Sequence, residues 1–139
     1  MSSNISVRNQ ASEARLSCGP QVLCVDDDQK NLFIMTAFLS SEGYSCRTAS
    51  DGAEALSMLR DYADFDLVIT DLVMPGVNGQ QLCEAIERDF PGLNVIVVSG
   101  SSEQEVAPLR RCPAVREVLA KPLRRRDIVS VVRGALTSS

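Results

Sequence analysis

Four short apolar runs in this chain each end on a side chain suited to phosphoryl chemistry. Val22-Leu23-Cys24-Val25 runs into Asp26-Asp27, Leu67-Val68-Ile69-Thr70 into Asp71, Val95-Ile96-Val97-Val98 into Ser99, and Val118-Leu119-Ala120 into Lys121. Carboxylates held together repel one another, and a cation relieves that repulsion. Mg²⁺ suits such a donor set, with Mn²⁺ as its substitute: magnesium takes hard oxygen ligands and binds through one or two carboxylates plus phosphate oxygens. A carboxylate beside it can attack a phosphoryl group. The charge spread over the transferring group would be met at fixed positions by the metal, the Lys121 ammonium and the Ser99 hydroxyl, with the Gly100 amide open to a phosphate oxygen.

These groups can meet only if the runs that carry them lie side by side. Short Val/Ile/Leu-rich runs alternating with helical patterns predict an α/β fold with a parallel sheet covered on both faces, whose ligand crevice lies outside the carboxyl ends of the strands. The patterning predicts strands over residues 21–26, 44–49, 65–70, 95–99 and 117–120. Between them it predicts a helix over 29–41 with Leu32, Met35 and Leu39 on one face, and one through residue 61, capped by Ser50 or Asp51, with Ala53, Leu56 and Leu59 inward. A third helix follows the turn-rich stretch Met74-Pro75-Gly76-Val77-Asn78-Gly79 and packs Leu82, Ala85, Ile86 and Phe90. A fourth, short helix over 103–110 starts from Ser101 or Ser102, and the last carries Ile128, Val131, Val132, Ala135 and Leu136. Five βα units fit the five-stranded order 2-1-3-4-5, flavodoxin-like, in which the first and third strands meet at the switch point and bring Asp26, Asp27 and Asp71 together.

Composition narrows the field. A chain of 139 residues is one domain, large enough to bury a core without disulfides or structural metal; residues 1–20 are expected to form a flexible tail and 21–139 the folded unit. Five cysteines with no CxxC spacing predict reduced packing residues of a cytoplasmic protein. No stretch reaches the ~18 apolar residues of a membrane span, and the first twenty residues lack the apolar segment of a secretion signal. With a net charge of -4 and Arg124-Arg125-Arg126 as its only basic cluster, the chain is not expected to bind nucleic acid. It contains no histidine, which excludes histidine acid–base catalysis and any role as a phosphohistidine donor, so phosphate must arrive from another molecule. Lysine occurs only at Lys30 and Lys121, against twelve arginines, which makes a lysine at a strand end more pointed.

The run from Val22 to Asp28, the run from Asp66 to Gly79, the pair Ser99-Gly100 and the pair Lys121-Pro122, in this order and spacing, closely resemble the receiver domain of two-component response regulators, from about Gln21 to Leu136. The resemblance implies that Asp71 is the phosphoacceptor, and that Asp27 and Asp71 ligate Mg²⁺ together with the Val73 backbone carbonyl, while Asp26 orients metal-bound water. It implies that Ser99 bonds a phosphoryl oxygen and repositions on phosphorylation, that Lys121 pairs with the phosphoryl charge, and that Pro122 follows a cis bond. The implied donor is a histidine kinase or histidine phosphotransfer protein. The chain would catalyse only its own phosphorylation and dephosphorylation, passing its signal to a downstream protein partner by surface contacts or relaying phosphate to another protein's histidine. Two departures stand out. Val118 occupies the position three before the lysine where the family usually carries Tyr or Phe. Pro108, Cys112 and Pro113 predict a short or irregular fourth helix and put output through that face in question.

Two other functions compete with a phosphoacceptor. An aspartate-dependent phosphohydrolase would carry a second acid two residues after its nucleophile, and that position is Val73. A receiver-fold binding module acting without phosphorylation would have no need of all five polar positions. Singly, the bland alternatives are ordinary: Asp28 as a helix cap, Ser99 as a cap of the fourth helix, Lys30 facing solvent, and Met35, Met58 and Met74 as packing.

Overall fold

A computed structural model of the chain describes residues 19–62 and 64–137. The tail expected over residues 1–20 lies mostly outside the described residues. Five strands, β1 (Gln21–Val25), β2 (Ser45–Ala49), β3 (Leu67–Asp71), β4 (Asn94–Ser99) and β5 (Val115–Ala120), alternate with five helices. These are α1 (Gln29–Ser40), α2 (Gly52–Asp61), α3 (Gly79–Asp89), α4 (Glu103–Arg110) and α5 (Arg125–Thr137). All strand pairs are parallel, in the expected order β2-β1-β3-β4-β5.

The sheet divides the core in two because successive side chains along a strand face opposite ways. Leu23, Val25, Val68, Val95 and Val97 pack against Ala55 and Leu59 of α2, Leu82, Cys83 and Ile86 of α3, and Val106 and Leu109 of α4. Val22, Cys24, Leu67, Ile69, Ile96 and Val98 face the other way, onto Leu32, Met35 and Leu39 of α1 and Ile128, Val129, Val132 and Ala135 of α5. The three central strands are covered on both faces, which is why they are continuous apolar runs rather than alternating ones. Met35 and Met74 are buried and Met58 packs against the core, while Lys30 is exposed.

Several local expectations need correction. In α2, Asp51 is the cap, accepting the Glu54 N–H at 2.8 Å, and the helix buries Gly52, Ala55 and Leu59 with Leu56 half-buried; Ala53 is exposed, one residue out of phase with that stripe. β3 starts at Leu67 and includes Asp71, and β5 starts at Val115, two residues early, with a register irregularity opposite Val95 and Ile96. Pro108 does not break α4. The helix is short but continuous across it, anchored by buried Val106 and Leu109 and opened by Ser102, whose N–H is accepted by the Glu105 carboxylate at 3.1 Å. Among the described residues, no helix is long and apolar enough to cross a membrane.

Candidate functional site

The sheet's carboxyl edge is built by adjacent strand ends at nearly one level. Asp26 follows Val25, whose ladder partner Thr70 precedes Asp71; Asp71 is opposite Val98, and Ser99 is opposite Ala120, the residue before Lys121. The backbone carries the ladder one step past the strands, with the Asp26 N–H donating to the Ala49 carbonyl at 3.1 Å and the Lys121 N–H to the Ser99 carbonyl at 3.0 Å. The Lys121-Pro122 peptide is cis, as the resemblance implies.

Asp26, Asp27 and Asp71 each offer a carboxylate oxygen, and these oxygens lie within 4.8 Å of one another. Their settings differ. Asp26 and Asp71 are buried and Asp27 is exposed, so the cluster has an apolar-backed inner side and one arm in water. Lys121 enters from β5, its Nζ 3.2 Å from Asp71 Oδ2 and 3.6 Å from Asp26 Oδ2. Asp71 Oδ1 accepts the Leu72 N–H at 2.7 Å. The putting of both Asp71 oxygens under hydrogen bonds fixes the carboxylate's plane. Asp26 Oδ1 accepts the Asp28 N–H at 2.9 Å and Oδ2 the Asn31 side-chain amide at 3.3 Å. Asp28 also caps α1, taking the Lys30 N–H at 2.9 Å.

Burial raises the Asp26 carboxyl pKa, and this outweighs the lowering by the Asp28 N–H and the Lys121 charge. For Lys121, burial alone would lower the pKa, but the hydrogen bond and charge of Asp71, with Asp26 behind them, raise it. Of Lys121 and Asp26, the lysine shifts as a salt bridge dictates and the acid does not, because Asp26 is almost out of water and also faces the Asp71 charge. Ser99 is buried, and its Oγ accepts the Ser101 N–H at 2.9 Å, a turn-like bond that aligns the start of the loop before α4. Val73 is exposed on the loop after β3, where its side chain is open to water.

The chain brings Asp26, Asp27, Asp71 and Lys121 into direct proximity and sets Ser99 and the loop of Val73 on the same edge. Hard oxygen donors in this number fit Mg²⁺ or Mn²⁺ rather than a softer metal. Two contributors escaped the sequence reading. Asn31 lies five residues beyond Asp26, a spacing that returns the first helical turn to the end of β1. Gly79 was taken as a turn residue, yet a Cβ there would lie 2.4 Å from the Asp71 carbonyl oxygen, and its N–H donates to the Leu72 carbonyl at 2.8 Å. Only glycine lets α3 begin so close to the strand that carries the cluster.

Comparison with known proteins agrees with this architecture. The family model described as the response regulator receiver domain matches residues 22–133. A putative two-component response regulator of Arabidopsis thaliana, ARR21, is 35% identical over 139 residues, 99% of this chain and 22% of that protein. The chain thus spans about a fifth of the length of that relative, and about half that of the mycobacterial regulators named MtrA, which are 28% identical. Among solved structures, the CheX–CheY–BeF₃–Mg²⁺ complex from Borrelia burgdorferi superposes with a TM-score of 0.80 at 28% identity, covering 86% of this chain and 90% of that one. The response regulator TrrA of Thermotoga maritima, in complex with Mg²⁺ and BeF, gives 0.75 at 25% identity over 85% of this chain and 100% of that one. With four strand ends converging on one edge and a family match over most of its length, this chain belongs to the receiver domain family of two-component response regulators.

Proposed function

We propose that the domain accepts a phosphoryl group on Asp71 from a histidine kinase or histidine phosphotransfer protein, with Asp27, Asp71 and the Val73 carbonyl holding Mg²⁺ and Asp26 orienting its water. The observation that carries this reading is the setting of Asp71. It is buried at the end of β3, with one oxygen on the Leu72 amide, the other on the Lys121 ammonium, and two carboxylates within 4.8 Å. A bound Mg²⁺ would supply positive charge for the phosphoryl oxygens.

The protein's own groups do the rest. An Asp71 oxygen attacks phosphorus, forming a P–O bond as the donor's P–N bond breaks, and the departing imidazole keeps the electron pair and takes up a proton from solvent. Lys121 already lies on Asp71 Oδ2 and can pass to a phosphoryl oxygen without leaving the site. Ser99 would exchange its Ser101 N–H contact for a bond donated by its hydroxyl to the phosphoryl group. The exposed, apolar Val73 offers no acid to a leaving group, which disfavours a phosphohydrolase. The chain also has no histidine to take that part.

The test is phosphorylation by acetyl phosphate, read by intact mass. One phosphoryl group should be added, dependent on Mg²⁺, removed by hydroxylamine as an acyl phosphate is, and absent from Asp71→Asn. Equal labelling of Asp71→Asn would overturn the assignment, and acceptance without divalent metal would overturn the metal's role. Transfer from a purified phosphotransfer protein would then test the donor class.

A further inference from the structure

Of the three clustered carboxylates, Asp26 is the most withdrawn from water, so neighbouring groups rather than solvent set its orientation. Its two oxygens are anchored by one helical turn: Oδ1 by the N–H of Asp28, the cap of α1, and Oδ2 by the side-chain amide of Asn31, the third helical residue. Turning the carboxylate about its Cβ–Cγ bond would break one bond or the other. The Lys121 ammonium is 3.6 Å from the same Oδ2, while its closer contact is Asp71 Oδ2 at 3.2 Å. With the Asn31 amide removed, Lys121 would be the remaining partner of Asp26 Oδ2 among the described residues. The carboxylate would then swing toward the ammonium, taking an oxygen out of the cluster and drawing the lysine from Asp71.

We propose that Asn31 is a positioning residue of the magnesium site: its side-chain amide holds the Asp26 carboxylate in the oxygen cluster and leaves Lys121 to Asp71. This rests on the reading of Asp26, Asp27 and Asp71 as the Mg²⁺ site. Hydrogen bonds that orient metal-site carboxylates are worth roughly 10–100-fold in metal affinity. The single 3.3 Å bond from Asn31 belongs at the lower end of that range.

The experiment is calorimetric titration of Mg²⁺ into the wild-type chain, Asn31→Ala, Asn31→Leu, Asp26→Asn and the double variant Asp26→Asn/Asn31→Ala. Melting curves in EDTA establish that each is folded. Asn31→Ala and Asn31→Leu should bind Mg²⁺ about tenfold more weakly, as removal of an orienting hydrogen bond does. In the Asp26→Asn background the Asn31→Ala change should cost less than about twofold, since two residues acting through one contact are not additive. If the alanine variant fails to fold, the leucine variant, similar in size and a good helix former, carries the comparison. Wild-type affinity in the Asn31 variants, or losses that multiply in the double variant, would overturn the role of Asn31 while leaving the metal site standing. Absence of Mg²⁺ binding by the wild type would instead overturn the metal site itself.

Discussion

Replacing Asp27 with alanine separates what the acidic cluster costs the fold from what it does for the metal. The three carboxylate oxygens lie within 4.8 Å of one another. At that separation two like charges repel by ~0.9 kcal/mol in bulk water and ~3.5 kcal/mol at the effective dielectric of a protein surface. Asp27 is exposed, so the lower figure applies, and its two neighbours together give ~2 kcal/mol before screening by salt. The Lys121 ammonium, beside Asp71 and Asp26, offsets about one of these two repulsions and leaves ~1 kcal/mol. In a domain of this size 1 kcal/mol moves the melting temperature by ~4 °C, so Asp27→Ala should melt ~4 °C above wild type in EDTA. Mg²⁺ at a hundred times its dissociation constant adds ~2.7 kcal/mol to wild type, or ~10 °C, and should add almost nothing to the variant. The order of stabilities therefore inverts between EDTA and saturating Mg²⁺, a crossing that circular dichroism melts would show directly. An undiminished Mg²⁺ shift in Asp27→Ala would remove Asp27 from the metal site. A metal-free melting temperature no higher than wild type would refute the repulsion argument.

Other outcomes follow from the same geometry. The acyl phosphate should be long-lived, since Val73 is exposed and apolar and Ser101 is short and half-buried, leaving nothing to hold an attacking water; Val73→Asn should shorten its lifetime, and an equal or longer lifetime counts against this. Alkylation by iodoacetamide at pH 8 should reach Cys46 ahead of Cys24 and Cys83. A hydrogen bond to Cys24 lowers the pKa of half-buried Cys46, that same contact with Cys46 and burial raise Cys24, and burial pushes Cys83 up to about 12, so mass mapping of a first label on Cys24 or Cys83 would contradict the order. With Val118 half-buried and too short to trade a buried for an exposed pose, beryllofluoride should alter amide exchange over residues 99–113. Changes confined to Val118 and α5 would show that the missing ring is immaterial.

The central strands were legible because burial on both faces leaves an unmistakable apolar run, as at Leu67-Val68-Ile69, and a parallel topology then dictates which termini share an edge. That is why Asp26, Asp27, Asp71, Ser99 and Lys121 could be gathered from spacing alone. β5 was harder. Arg116 and Glu117 are exposed and its register slips opposite Val95, so the half-buried Val115 at its start stands apart from the apolar run over 118–120. In α2 the expected stripe Ala53, Leu56, Leu59 and the observed one Gly52, Ala55, Leu59 differ by one residue at their first two positions, because spacings of three and four both suit a helix. The Leu72 amide on Asp71 and the Ser101 amide on Ser99 depend on backbone directions in the turns after each strand. Residue type and spacing do not encode those directions.

The two glycines flanking the site sit in opposite mechanical circumstances. Gly79 is wedged against the Asp71 carbonyl oxygen with no room for a methyl group, whereas Gly100 has nothing within 4 Å of where one would go. An added side chain is thus barred on the Asp71 side of the cleft and admitted on the Ser99 side. Substitution should obey the same division: Gly79→Ala would have to dislodge the end of β3 or the start of α3, whereas Gly100→Ala would be accommodated with the fold intact.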